Sequence, residues 1–208
     1  MTQFIRLSLK DYLDELSSDK PVPGGGSVSA YVATLGMGLT QMVGRVTLNR
    51  KRKKDLPPAE IKEDDRRRDV IRKIIDSVEK AKTDALQIVD LDPKVYQEVM
   101  AVWADPQKLE TALQNSFRLQ ADLSLLIAMA NEWNRNMAEL VSGSIKNDLL
   151  VSAALLEGAF RGAYHTALVN VKYMKDEKRR QDAGRAMAEV KNRFEKGEGI
   201  VRDASSRT

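Results

Sequence analysis

Apolar residues along this chain recur at intervals of three and four, and no stretch alternates with the period of two that a half-buried strand needs. Ser8, with Asp11 three positions on and Leu7 and Tyr12 placed to close over it, has the form of a helix start. The first helix is predicted to run to about Ser17. Pro21, Pro23 and three consecutive glycines mark 18–27 as a loop. A second helix is predicted from about Val28 to Asn49, with small residues (Ser29, Ala33, Gly36, Gly38, Gly44) among apolar ones (Val32, Leu35, Leu39, Met42, Val43, Val46). Glycine costs about 1 kcal/mol relative to alanine inside a helix, so several together imply a compensating gain, most simply the close approach of another helix backbone. Apolar residues on most faces place this helix at the centre of the molecule.

A basic run and Pro57-Pro58 end it, and a long charged helix is predicted from about Pro58 to Asp90. Ile61, Val70, Ile71, Ile74, Ile75, Val78, Ala81, Ala85 and Ile88 form its buried stripe, with Glu63, Asp64, Asp65 and the arginines 66–68 on a solvated face. Leu91-Asp92-Pro93 is predicted to interrupt the helix, which resumes to about Trp103. Asp105-Pro106 opens another, to about Val141. After the turn Ser142-Gly143-Ser144, a small-residue helix is predicted from about Asn147 to Tyr173, and a last one from about Asp176 to Lys196. The expected fold is all-α: an elongated bundle of about six to seven helices, forming one domain over 1–208 without internal repeats.

Composition narrows the chemistry. Of the 208 residues 42% are hydrophobic but only 5% aromatic, so the core is aliphatic. There is no cysteine, which removes disulfides and thiolate metal sites. The N-terminus lacks the apolar segment of a signal peptide, and no run approaches the roughly 18 to 20 apolar residues that span a bilayer. The expectation is a cytoplasmic protein with no membrane partner. His165 is the single histidine, so no His-rich metal site is expected, and it reads as a structural or surface residue. The net charge of +4 is concentrated at Arg45 and Arg50-Lys51-Arg52-Lys53-Lys54, a run that attracts anions. Nucleic acid is not the expected anion, because no DNA-binding motif and no aromatic interleaving accompany the run.

Three motifs carry candidate chemistry. Gly24, Gly25 and Gly26 can adopt positive φ and let a ligand approach the backbone, with the free N–H groups of the following helix favouring an anionic group; a plain linker is the alternative. The loop is neither a phosphate-binding P-loop nor a dinucleotide fingerprint, having no Gly-Lys-Ser/Thr after it and no strand before it. Asp92 has the Asp-cap, Pro-at-N1 form of a helix start. Set beside Val89, Leu91 and Val95, it also suits a carboxyl with a raised pKa that moves protons near neutrality. Asp148 is either a helix-start acid favoured by the dipole or a hydrogen-bonding group for a polar ligand ring.

Pro21-Val22-Pro23-Gly24-Gly25-Gly26-Ser27-Val28-Ser29-Ala30, followed by Leu35-Gly36, Met42-Val43 and Thr47, resembles the start of the formiminotransferase-cyclodeaminase C-terminal family, which also contains stand-alone methenyltetrahydrofolate cyclohydrolases. Val89 to Tyr96 resembles the family segment in which an aspartate precedes an Ala-x-Ala-Phe-like stretch, with Asp92 on that aspartate. Asn147-Asp148 resembles its Ser-Asp pair, and Asn170 falls on the second asparagine of its Asn-Val-x-x-Asn-Leu segment. The chain departs from the family at Thr166, where the first of those asparagines falls, at Val141-Ser142 in place of Gly-Asn, and at Leu123-Ser124-Leu125 in place of Val-Pro-Leu.

The resemblance implies an all-helical homodimer with a tetrahydrofolate derivative, as substrate rather than permanent cofactor, in a groove between helices. It implies that Asp92 transfers protons and that Pro23, Gly24, Gly25, Gly26 and Ser27 shape the site. Asp148 and Asn170 would fix the folate, and by charge Lys51, Lys53 and Lys54 would hold its glutamate tail. The activity implied is hydrolysis of 5,10-methenyltetrahydrofolate to 10-formyltetrahydrofolate. The alternatives are formiminotetrahydrofolate cyclodeamination and folate binding or scaffolding without catalysis.

Overall fold

The structure is a computed structural model that describes residues 3–52 and 56–205, with side chains through Lys196. Among these residues it is all-helical: a short 3-10 turn at Phe4–Arg6, then α1 (Leu9–Leu16), α2 (Gly25–Asn49), α3 (Pro58–Ala101), α4 (Pro106–Leu140), α5 (Lys146–Tyr173) and α6 (Glu177–Ser205). No helix among the described residues is long and apolar enough to cross a membrane.

The local start signals act as expected. The Ser8 hydroxyl accepts the Asp11 N–H at 3.1 Å, and the Asp105 carboxylate accepts the N–H groups of Gln107 and Lys108, with Pro106 at the first helical position. Gly143, at φ 86°, turns the chain between α4 and α5.

α2 is central, packing against α3, α4 and α5, while α6 covers α4 and α5. Two of its glycines are contact points. A Cβ at Gly36 would stand 3.1 Å from the Ser152 carbonyl oxygen of α5, and one at Gly44 would meet Met137 and Ile75. Gly44 meets side chains only and Gly38 faces open space, so the expected approach of another helix backbone is found at Gly36 alone of the three. The outward stripe of α2 stays apolar: Leu35, Met42 and Val46 are exposed. α6 is tied down by Arg193, whose guanidinium donates to both Glu132 carboxylate oxygens at 2.7 and 2.9 Å, and by Phe194 stacked on Phe160.

Two expectations are corrected. The solvated face of α3 is not solvated at Arg68. That guanidinium is mostly buried, pairs with Asp64, and donates to the carbonyls of Leu48 and Arg50, closing the C-terminal end of α2. More important for function, α3 does not break at 91–93. It runs unbroken through Pro93 to Ala101, and Asp92 lies inside it rather than at a cap.

Candidate active site

Pro93 explains both the expected break and its absence. Proline has no N–H, so within a helix it leaves the carbonyl four residues earlier without its usual donor. Here that carbonyl belongs to Val89, and the Ser27 hydroxyl donates to it at 2.9 Å. The gap in the ladder is filled from α2. The single hydroxyl proton of Ser27 is thereby committed, so the Tyr12 hydroxyl, 3.1 Å from Ser27 Oγ, must be the donor in that pair. Burial pushes the Tyr12 phenol above its ordinary pKa, against the Ser27 hydrogen bond, which keeps it a donor.

The next residue back, Asp92, meets the same serine from the other side. α2 begins at Gly25, so the Ser27 N–H is one of the helix-start donors with no intrahelical partner. It donates to Asp92 Oδ2 at 2.9 Å. Gly24, the cap residue, offers no side chain, and the carboxylate of α3 caps α2 in its place. Asp92 Oδ1 accepts the Gln120 Nε2–H of α4 at 2.7 Å. Asp92 as a whole is 9% exposed. Burial raises its pKa above the usual carboxylate range, and the hydrogen bonds from the Ser27 N–H and Gln120 oppose that rise. Each oxygen has one donor and a second lone pair left over.

Gly26 makes room for this pair. A Cβ there would fall 2.2 Å from Asp92 Oδ1 and 2.3 Å from Gln120 Nε2. The triple glycine is not used for left-handed backbone: Gly143 is the positive-φ glycine among the described residues. Its use at Gly26 is the missing side chain. Gly25, exposed, lies across from the Thr166 hydroxyl of α5, and Asn170, one turn further along, donates to the Thr166 carbonyl at 3.0 Å. Pro23 follows a cis peptide bond from Val22 and is buried.

Pro23, Gly24 to Ser27, Asp92 and Asn170 are therefore gathered at one end of the bundle, where they are joined by Thr166, singled out by sequence as a departure from the family, by Tyr12, singled out only as part of a helix start, and by Gln120, which sequence did not single out. The other expected site residues are not brought there. Asp148, half-buried in the first turn of α5, lies 18 residues before Thr166, about 27 Å along the helix axis. Lys51 follows the far end of α2, which at 25 residues is about 37 Å long. It lines a cleft of about 410 Å³ with Arg50, Arg52, Arg67, Arg68 and Ser142, where Asp64 and Asp65 neutralise part of the positive charge. Lys53 and Lys54 lie outside the described residues. His165 is exposed on α5, edge-on to Tyr164, beside a cleft of about 280 Å³ that also includes Phe160 and Phe194. Neither cleft includes Asp92.

The fold and the site define an all-α protein with a buried carboxyl, its pKa raised by burial, clamped between a helix N-terminus and a side-chain amide. The chain belongs to the formiminotransferase-cyclodeaminase family, whose model matches residues 8–189. It is 26% identical to the methenyltetrahydrofolate cyclohydrolase of Methylorubrum extorquens, over 96% of this chain and 91% of that protein. It is 25% identical to the formimidoyltransferase-cyclodeaminase of Gallus gallus over 86% of this chain, and spans about a third (33%) of that relative's length. The crystal structure of a formiminotetrahydrofolate cyclodeaminase from Thermotoga maritima has the same fold, with a TM-score of 0.86 at 23% identity, covering 97% of this chain and 96% of that one.

Proposed function

We propose that the protein hydrolyses 5,10-methenyltetrahydrofolate to 10-formyltetrahydrofolate, with Asp92 as the proton-transfer group. The observation that carries this reading is the buried Asp92 carboxyl, fixed by the Ser27 N–H beside an open glycine turn. The family and its cyclohydrolase relative supply the substrate class. The methenyl carbon is an electrophilic amidinium. Asp92 takes a proton from water as the oxygen bonds to that carbon, giving a neutral carbinolamine. The acid then returns the proton to N5 as the carbon–N5 bond breaks, while the hydroxyl proton leaves to solvent and the carbonyl forms. One proton is released overall. The raised pKa supports a group that works in both forms.

The same raised pKa favours a second reading, formiminotetrahydrofolate cyclodeamination, in which the acid form of Asp92 protonates the leaving nitrogen as N10 closes on the one-carbon unit. Loss of methenyl absorbance and release of ammonia from the formimino substrate separate the two. Hydrolysis by wild type, abolished in Asp92→Ala, is the expected result. Hydrolysis that survives in Asp92→Ala excludes the mechanism, and folate binding without turnover of either substrate leaves a binding protein.

The working unit in this reading is a homodimer in the cytoplasm. The exposed α2 stripe of Leu35, Met42 and Val46, with open Gly38 near its middle, supports a second copy seated there. An antiparallel, isologous pairing about Gly38 would bring one copy's basic end beside the other's Asp92 end. A role for Asp148, Lys51, Lys53 and Lys54 in holding the folate depends on that exchange of ends. Asn170 and the Gly25 turn need no second copy to reach the ligand.

A further inference from the structure

Gln120 sits where an apolar residue would be ordinary. Leu113, Phe117, Leu123 and Ile127 of the same helix are buried around it, and Gln120 itself is fully buried. Its Nε2 donates to Asp92 Oδ1, while its Oε1 is buried and has no hydrogen-bond partner. The amide oxygen therefore does not fix which way the amide faces. Asp92 is different: its Oδ2 is committed to the Ser27 N–H, a backbone donor that cannot reverse. Both oxygens keep a free lone pair, but only Oδ1, which faces Gln120, has a partner that can change from donor to acceptor when the carboxyl gains a proton.

We propose that Gln120 is the positioning residue of Asp92 and that its amide turns over with the state of the carboxyl, Nε2–H donating to the carboxylate Oδ1 and Oε1 accepting from the Oδ1–H of the acid. Rotation about the last side-chain torsion exchanges the two ends of a planar amide of nearly equal size. Gly26 leaves the space in which the pair meets. Asp92 thus keeps a partner on Oδ1 before and after each proton transfer, and the carboxyl plane does not swing. The titratable groups near it are Tyr12 of α1, which donates to Ser27, and Asp90 of its own helix, whose Oδ1 accepts the Ile5 N–H.

The proposal rests on Asp92 being the proton-transfer group, and its test separates the two. In turnover, Gln120→Met removes both bonding faces. kcat is expected to fall about tenfold or more, the effect of a loosened catalytic group, with KM little changed. Its acid limb is expected to move up by as much as about one pH unit, because the bond to the carboxylate is the stronger of the two that are lost. Gln120→Glu is expected to move the limb further, since two carboxyls then share one proton. An unmoved limb in both variants, or a change in KM alone, overturns the proposal. A second measurement needs neither turnover nor a variant: NMR of the Gln120 side-chain NH2 in wild type, followed against the Asp92 carboxyl carbon. The two are expected to titrate together. An NH2 signal that stays fixed while Asp92 titrates overturns the amide rotation, whether or not the protein hydrolyses a folate.

Discussion

Replacing Gly26 with alanine isolates the geometry of the site from that of the helix. Gly26 lies in the first turn of α2, where alanine is the better helix former by about 1 kcal/mol. Helix propensity alone would therefore make the variant more stable. The added Cβ, however, would stand 2.2 Å from Asp92 Oδ1, 2.3 Å from Gln120 Nε2 and 2.6 Å from Asp92 Cγ. Ordinary contact begins at 3.4 Å, so the carboxylate oxygen must retreat by about 1.2 Å. Neither partner can absorb this freely, because both are buried and the Ser27 N–H holds the other carboxylate oxygen. Loss of a hydrogen bond to a charged group costs about 1.5–3 kcal/mol, and forcing extra volume into a packed site about 1–3 kcal/mol. After the helix gain, a net destabilisation of about 1.5–5 kcal/mol is expected. A displacement of about 1 Å in a catalytic group costs on the order of 10²-fold in rate. Urea unfolding and the methenyl absorbance assay read the two effects. Gly158→Ala is the control: it lies on an exposed face of α5 with nothing within 4 Å of its Cβ, and is expected to gain up to about 1 kcal/mol at unchanged activity. A Gly26→Ala protein that gains stability as the control does and retains full turnover would refute the reasoning.

Further outcomes follow from the same contacts. Ser27→Ala leaves the backbone N–H on Asp92 but strips the Val89 carbonyl of its donor, with an expected cost of about 1–3 kcal/mol in chemical denaturation; Tyr12→Phe, which leaves Ser27 its bond to Val89, is expected to cost about 1 kcal/mol. The raised pKa of Asp92 sets opposite trends in stability and rate. Its contribution to stability is complete below the unfolded-state value and fades as pH rises through the folded-state value, while turnover through the carboxylate rises over the same range. Asp92→Asn cannot ionise, so above that range it is expected to be inactive yet more stable than wild type, by about 1.4 kcal/mol for each pH unit between the folded-state and unfolded-state titrations, as melting curves across pH would show. Leu35→Glu combined with Met42→Glu is expected to convert a wild-type dimer to a monomer in light scattering, and a monomeric wild type would contradict the α2 pairing.

Helix identities were legible because their signals are local. Ser8 with Asp11, Asp105-Pro106 and the spacing of Ile71, Ile74, Ile75 and Val78 each lie within a turn or two of what they determine. The break expected at Asp92-Pro93 failed because its remedy is distant: the carbonyl that Pro93 leaves unpaired finds its donor in Ser27, 62 residues away. Asp92 itself was legible as a candidate, but its partners were not. Gln120 could have been noticed as a glutamine at a core position between Phe117 and Leu123, although nothing local says which group it meets. Gly26 was conspicuous for the wrong property, since backbone freedom is what a run of glycines suggests and an absent Cβ is what the structure uses. Asp148 was grouped with Asp92 through the family resemblance and Lys51 by its charge, and helix length along α5 and α2 separates them.

The measurement that bears most directly on Asp92 is a crystal structure of the protein with an unreactive analogue of methenyltetrahydrofolate. The one-carbon position is expected near Gly25 and Thr166, with a water between it and Asp92 at about 3 Å from each. An analogue bound with its one-carbon position remote from Asp92, for example along the cleft of Arg50 and Arg68, would contradict the account.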